Sequence, residues 1–261
     1  MPMTNTFPCK LFLLGGYDLE MQTIKLLLEG RKDCVVLDKH LRWENAQLSA
    51  YEKDLHHYPD YDIYGIELQE DIPLPHHYFR IDHHNDWSGK PSALEQVATI
   101  LGIALNRYEQ LVAANDKGYI PGMLNISATE AEINEIRRKD RSAQGVSEDD
   151  ELQAEQSINN HLSRHGELLV VKSLTPSFSP ICDRLYPYQR LLIYNDSEWM
   201  FYGEGKADLV AQYAEEIEGG KIFHGGGDLG YIGTVRNTFS TKEIHQFVEQ
   251  QKTRYEYHQL S

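Results

Sequence analysis

Asp82, His83 and His84 follow directly on the apolar run Tyr78-Phe79-Arg80-Ile81, so an acid and two adjacent imidazoles end what reads as a strand. Carboxylate oxygen and imidazole nitrogen are ligands for divalent cations, which makes metal-assisted chemistry the first reading of the triplet. The bland alternative is a polar strand end in which each His caps a neighbouring carbonyl. Further acids occupy comparable places: Asp18 and Glu20 beyond Gly15-Gly16, Glu67 after Tyr61–Ile66, and Asp116 within Asn115-Asp116-Lys117-Gly118. Together they supply the oxygen ligands that octahedral Mg2+ or Mn2+ requires.

These residues need elements to bring them together. Lys10–Leu14 is a continuous apolar run, and Met21, Ile24, Leu27 and Leu28 after it have helical spacing. Cys34–Leu37, ending at Asp38, Tyr61–Ile66, ending at Glu67, and Tyr78–Ile81, ending at Asp82, read as three further strands. In a parallel sheet with right-handed crossovers all four C-terminal ends lie along one edge, where α/β proteins gather ligand groups. Ser92 to Leu105, introduced by Pro91, predicts an amphipathic helix, and Tyr108 to Ala114 a second that stops at Asn115–Gly118.

The expected fold is therefore α/β, a mostly parallel sheet with helices on both faces followed by a second, smaller α/β domain. The sequence places the first domain at 1–135, a charged helical connector at 136–160 and the second domain at 161–261. In the second, strands are expected at 168–173, 190–194 and 199–202, and helices at 207–218 and 241–251.

With 261 residues, 41% of them hydrophobic, the chain is long enough to bury a sizeable core. A net charge of −15 with no broad Lys/Arg stripe argues against binding long duplex nucleic acid. A carboxylate cluster that collects a cation would still receive a small anion. Cys9, Cys34 and Cys182 are scattered, with no CxxC spacing, which suggests neither a disulfide framework nor a thiolate zinc site and fits a reducing cytoplasm. No apolar stretch has membrane-spanning length. The tail Tyr255-Glu256-Tyr257-His258 reads as a docking or homodimer surface.

The ordered set of acids and the triplet resembles the DHH phosphoesterase superfamily, named for Asp-His-His. In that family an acid-x-acid pair follows the first strand, a later strand ends in an acid, the triplet comes next and an Asp in an Asp-x-Gly context follows. Asp18 and Glu20, then Glu67, then Asp82-His83-His84, then Asp116 match in order over about residues 11 to 120. The resemblance implies metal ligation by Asp18, Glu20, Glu67, Asp82, His83 and Asp116, with His84 orienting or protonating and Asp82 available to both roles. It implies Mn2+ or Mg2+, one or two ions, and hydrolysis of a small phosphate ester or short oligonucleotide. The family's Gly-rich substrate motif is matched by His224-Gly225-Gly226-Gly227, with Arg236 as a nearby cation. For the glycines alone the competing reading is a tight turn. Lys90, Arg107 and Lys117 are further candidates to meet a substrate phosphate.

This chain departs from the family's pattern at named places. Leu14 stands where a His is usual, the first pair is Asp-x-Glu, Glu67 replaces an Asp, and Asp228 follows the glycines where a His is usual. Those differences keep open an alternative, a degenerate relative that binds a nucleotide or metal without turnover.

Overall fold

The computed structural model describes residues 9–227 and 229–257, with Glu44 and Tyr257 described in backbone only. The chain divides into two compact units, Met1–Gly145 and Val146–Ser261.

The first unit is built on a four-stranded parallel sheet in the order β2-β1-β3-β4, where β1 is Lys10–Leu14, β2 Cys34–Leu37, β3 Asp62–Ile66 and β4 Tyr78–Ile81. Leu11, Phe12, Leu13 and Leu14 are all buried, as expected of a central strand covered on both faces. Leu11 and Leu13 pack with Leu48, Tyr51, Ile63 and Leu68. This cover comes from a 3-10 turn at Leu48–Tyr51 that leads into the short helix α2, Glu52–Leu55. From the alternate register Phe12 stacks on Tyr64 at 4.9 Å, and Tyr64 on Phe79 at 5.2 Å.

Four longer helices complete the unit: α1 Leu19–Leu28, α3 Ala93–Leu101, α4 Arg107–Asn125 and α5 Glu130–Ala143. Helices α3, α4 and α5 each begin with a capping box, Ser92 with Glu95, Asn106 with Glu109, and Thr129 with Glu132. Helix α3 ends at Gly102 in the left-handed conformation (φ 65°). The expected stop near Gly118 is a break instead. Tyr119 takes φ 55° and ψ −145°, and a second helical segment containing Pro121 continues to Asn125. Gly122 permits this fold-back, because a Cβ there would lie 2.2 Å from the carbonyl oxygen of Ala114.

Register decides which groups meet at the sheet edge. Leu14 is level with Ile66, and Ile66 with Ile81, so Gly15, Glu67 and Asp82 leave the sheet side by side. A Cβ on Gly15 would lie 2.2 Å from the Ile66 carbonyl oxygen and 2.4 Å from that of Glu67. Gly15→Ala is therefore expected to cost about 3 kcal/mol or more, since backbone atoms cannot yield as a flexible side chain would. A urea midpoint lowered at unchanged m-value would show it. Leu14 itself is a core residue, 1% exposed, and its carbonyl oxygen accepts from Tyr51 Oη at 2.6 Å.

The second unit carries a six-stranded mixed sheet in the order β5-β6-β7-β8-β10-β9. The strands are β5 Leu162–His165, β6 Leu168–Lys172, β7 Arg190–Tyr194, β8 Trp199–Gly203, β9 Ile222–Gly225 and β10 Tyr231–Thr234; of these pairings β6–β7 alone is parallel. Helices α6 Glu148–His161 and α7 Ser179–Leu185 contribute to the core on one face, with Ala154, Ile181 and Cys182 among its buried residues. On the other face lie α8 Lys206–Gln212, α9 Ala214–Glu218 and α10 Thr241–Tyr257, the last burying Ile244, Phe247, Val248 and Tyr255 at helical spacing. Phe247 stacks on Trp199 at 3.9 Å.

Two differences from the sequence reading stand out. Residues 136–160 hold the end of α5, a break at 144–147 and most of α6, and are shared between the units, α5 with the first and α6 with the second. Tyr255 belongs to the core, 7% exposed, so the tail is not an open aromatic surface there; His258 lies outside the described residues. Among the described residues no helix is long and apolar enough to cross a membrane.

Candidate metal centre

Four side chains from four places in the first unit converge at the C-terminal edge of its sheet. Glu20 comes from the first turn of α1, Glu67 from the residue after β3, His83 from two residues after β4, and Asp116 from α4 before its break. One ligand atom from each lies within 4.8 Å of every other. His83 Nε2 is 2.6 Å from Asp116 Oδ2, 3.0 Å from Glu67 Oε1 and 3.9 Å from Glu20 Oε2.

These atoms are buried and lack a directed hydrogen bond. Glu20 Oε2, both carboxylate oxygens of Glu67, His83 Nε2 and Asp116 Oδ2 have no hydrogen bond of proper geometry. The His83 contacts to Asp116 and Glu67 are close ion pairs without N–H···O alignment, so the ligand atoms of all four side chains face a common point. Leaving such atoms unsatisfied is costly, and a cation at the shared point satisfies them all. Three carboxylates and one imidazole form a donor set that fits a divalent ion of the Mn2+ or Mg2+ type.

Local structure fixes each donor. The Oε1 of Glu20 accepts from the backbone N–H of Leu94 at 3.0 Å, which turns Oε2 toward the cluster. Glu67 has φ 52°, a left-handed conformation that a side-chain-bearing residue rarely takes, and its N–H donates to the Ile81 carbonyl at 2.8 Å. Behind Asp116, Arg137 Nη1 donates to Asn115 Oδ1 at 2.9 Å and to Asp140 Oδ2 at 2.7 Å, all three residues being buried.

The electrostatics show a deficit of positive charge. Burial raises the Asp18 carboxyl to about 7, with Asp116 adding to the effect. Burial likewise holds Glu20 well above the usual range, with Asp116 and Glu67 adding. For Glu67, burial is again the largest cause; His83 opposes it and Asp116 and Asp18 reinforce it, to about 8. Burial works against a charged His83, but Asp116 and Glu67 outweigh it and lift the imidazole to about 10. One imidazolium is shared among several buried acids, so a divalent cation would relieve the whole group.

The other sequence-derived candidates lie around or apart from this quartet. Asp18 is buried, but its Oδ1 accepts from Met21 N at 2.9 Å as the cap of α1. Asp82 Oδ1 accepts from His84 N at 2.9 Å and stands 3.4 Å from His84 Nδ1. His84 is half exposed, with Nδ1 3.8 Å from Glu67 Oε1, and forms a second, looser grouping with Glu67 and His83. Asp38 is held by Lys25 at 2.9 Å. Arg107 binds Glu132 and the carbonyl oxygens of Ile126 and Ser127, which commits it to joining α4 and α5. Lys117 donates to the Lys90 carbonyl, and Lys90 lies over the Trp87 ring.

His224, Gly225, Gly226 and Gly227 belong to the second unit, where they end β9 and enter the turn toward β10. Gly226 and Gly227 have φ of 71° and 62°, which a tight turn demands. Lys206, buried at the start of α8, donates to the carbonyl oxygens of Gly225 and Gly227. The turn thus presents carbonyl oxygens to a lysine, a partner the glycine spacing alone does not disclose. Arg236 is paired with Glu198 at 2.6 Å and donates to the Pro176 carbonyl. Asp228 lies outside the described residues.

No protein-family profile matches the chain, and no curated protein matches it. Solved structures do align with it over most of its length. A pGpG-specific phosphodiesterase, PggH, from Vibrio cholerae is 12% identical with a TM-score of 0.45, covering 95% of this chain and 99% of its own. The exonuclease RecJ bound to manganese is 10% identical with a TM-score of 0.41, covering 94% and 90%. A DHH domain from a member of a family of ribosomal proteins is 10% identical with a TM-score of 0.47, covering 92% and 86%.

Proposed function

We propose that the chain is a divergent member of the DHH superfamily and a metal-dependent phosphoesterase acting on a small phosphate ester or short oligonucleotide. The observation that carries this reading is the convergence of Glu20, Glu67, His83 and Asp116 with their facing atoms buried and without a directed hydrogen bond. The motif order read in the sequence supports it, because residues far apart along the chain meet in that order at one sheet edge. Glu20, Glu67, His83 and Asp116 would hold the cation, Mn2+ or Mg2+, and Asp18 borders them. A divalent cation supplies Lewis acidity toward a phosphoryl oxygen.

The chain's own groups do the rest. Asp82 Oδ1 stands 3.4 Å from Nδ1 of His84, whose imidazole is half exposed. His84 is thereby suited to exchange a proton with solvent or a leaving group. Its backbone N–H is tied to Asp82, and its ring lies 4.4 Å from that of His83, so it is held at the edge of the cluster.

A second reading is favoured by one observation. Leu14, at the position where the family usually has a His, is fully committed to the core. That would suit a protein that binds a metal or nucleotide without turnover. One experiment separates the two: the full chain is incubated with Mn2+ or Mg2+ and bis-phosphate esters, di- to pentanucleotides and pyrophosphate. Turnover that requires the cation and is lost in Asp82→Ala and His84→Ala is expected. Cation binding without turnover of any of these would leave the second reading in its place.

A further inference from the structure

Trp43 lies against His84 at the edge of the cluster and is not among the buried core residues. It opens the 3-10 turn Trp43–Asn45, and 47% of the residue is exposed. Its indole meets the His84 ring at 5.6 Å and 63°, and His84 in turn meets His83. On another side the indole is backed by Gly16: a Cβ there would lie 3.0 Å from Cζ2 and 3.2 Å from Cε2. Gly16 thus leaves room for an aromatic ring that remains half open to solvent, one imidazole away from the metal cluster.

The comparison with Trp87 is informative. Trp87 is also partly exposed, but Lys90 lies over its ring at 4.0 Å and Arg80 at 5.4 Å. Among the described residues no cation covers Trp43. A large apolar π surface beside a site for a phosphate-bearing molecule offers nothing to inorganic phosphate or pyrophosphate. It offers a great deal to a planar heterocycle attached to that phosphate. Stacking on an indole is tolerant of base identity, and it needs no positive charge, which suits a chain of net charge −15.

We propose that Trp43 is the base-recognition residue of this site, and that the site takes nucleoside phosphates whose base stacks on the exposed indole. This inference rests on the reading of the adjacent cluster as a cation and phosphate site. His84 and Gly16 orient the ring; Trp43 sets the preference for a nucleoside over a bare or sugar phosphate.

The test is calorimetric, so it does not depend on turnover. AMP, ribose 5-phosphate and inorganic phosphate are titrated into the full chain loaded with Mn2+. AMP is expected to bind about tenfold more tightly than ribose 5-phosphate. Trp43→Ala should remove that advantage by weakening AMP alone, and Trp43→Phe should restore most of it. Equal affinity of the wild-type chain for AMP and ribose 5-phosphate would overturn the proposal, as would an AMP preference that survives in Trp43→Ala. Mn2+ binding with no AMP binding overturns the base platform and leaves the cation site standing. Failure of Mn2+ itself to bind overturns both, which distinguishes the two failures.

Discussion

Glu67→Gln is expected to weaken cation binding by about two orders of magnitude and at the same time to make the metal-free protein more stable. Both effects have one cause. Both carboxylate oxygens of Glu67 are buried without a hydrogen-bond partner, in a residue whose backbone is held in a left-handed conformation. Burial, with Asp116 and Asp18 adding to it, raises the carboxyl to about 8 despite His83. An ionised Glu67 therefore opposes folding of the metal-free chain. A neutral isostere removes that opposition and also removes an anionic ligand, a trade expected of functional sites.

The sign of the pH dependence follows. Because the folded pKa of Glu67 lies above its unfolded value, its protonation stabilises the fold at low pH. That contribution is lost as pH rises through about 8. Thermal unfolding of metal-free samples should show Glu67→Gln gaining on the wild type between pH 5 and pH 8. Added Mn2+ should reverse the order at pH 8 by raising the midpoint of the wild type alone.

Arg137→Leu is the second large effect, and here stability falls. Arg137 is 8% exposed and bonds both Asn115 and Asp140, themselves buried, while its guanidinium lies 4.5 Å from the Tyr119 ring. Removing it takes the cation from the buried Asp140 carboxylate and leaves the Gln144 amide, which donates to Oδ1 at 3.1 Å, in its place. Loss of one partner of such a buried pair typically costs about 3–5 kcal/mol. The expected consequence includes the site, because Asn115 adjoins Asp116 and the break at Tyr119 follows. Arg137→Lys should recover little, since an ammonium cannot reproduce the planar two-partner geometry. Two residues on, Lys139 pairs with Glu135 at the surface, and Lys139→Ala should change stability by no more than about 0.5 kcal/mol. Urea unfolding of the three variants makes the contrast directly measurable.

Arg137 also shows where sequence reading reaches its limit. In Glu135-Ile136-Arg137-Arg138-Lys139-Asp140 every charge looks like part of a solvated helix face. Nothing local reveals that Arg137, Asp140 and Arg141 turn inward, because the reason is a partner helix lying about twenty residues earlier in the chain. The four strands of the first unit were legible because each is a short apolar run ended by Gly or an acid. Their shared direction was read from the helix between the first two and from crossover handedness, although no helix separates β3 from β4.

The convergence of acids and imidazole was legible to the same degree. Acids placed after parallel strands must share an edge, and four of the proposed residues do converge. Side-chain direction was not legible: Asp18 and Asp82 sit beside the quartet, but neither belongs to the group whose ligand atoms meet within 4.8 Å. The long reach of α4 was missed for a related reason. Gly118 and Pro121 signal a stop, whereas Gly122 lets the chain turn closely over Ala114 and resume a helix. Lys206 and Trp43 carried no motif at all, and their interest comes only from what lies next to them.

The most direct measurement is a calorimetric titration of Mn2+ into the full, folded, metal-free chain at pH 8. The buried quartet predicts saturable binding of at least one ion in the micromolar range or tighter, with release of protons as buried carboxyls ionise. It also predicts that this binding is nearly lost in Glu67→Gln. A folded wild-type chain that takes up no Mn2+ at millimolar concentration would contradict the assignment of Glu20, Glu67, His83 and Asp116 as a metal centre.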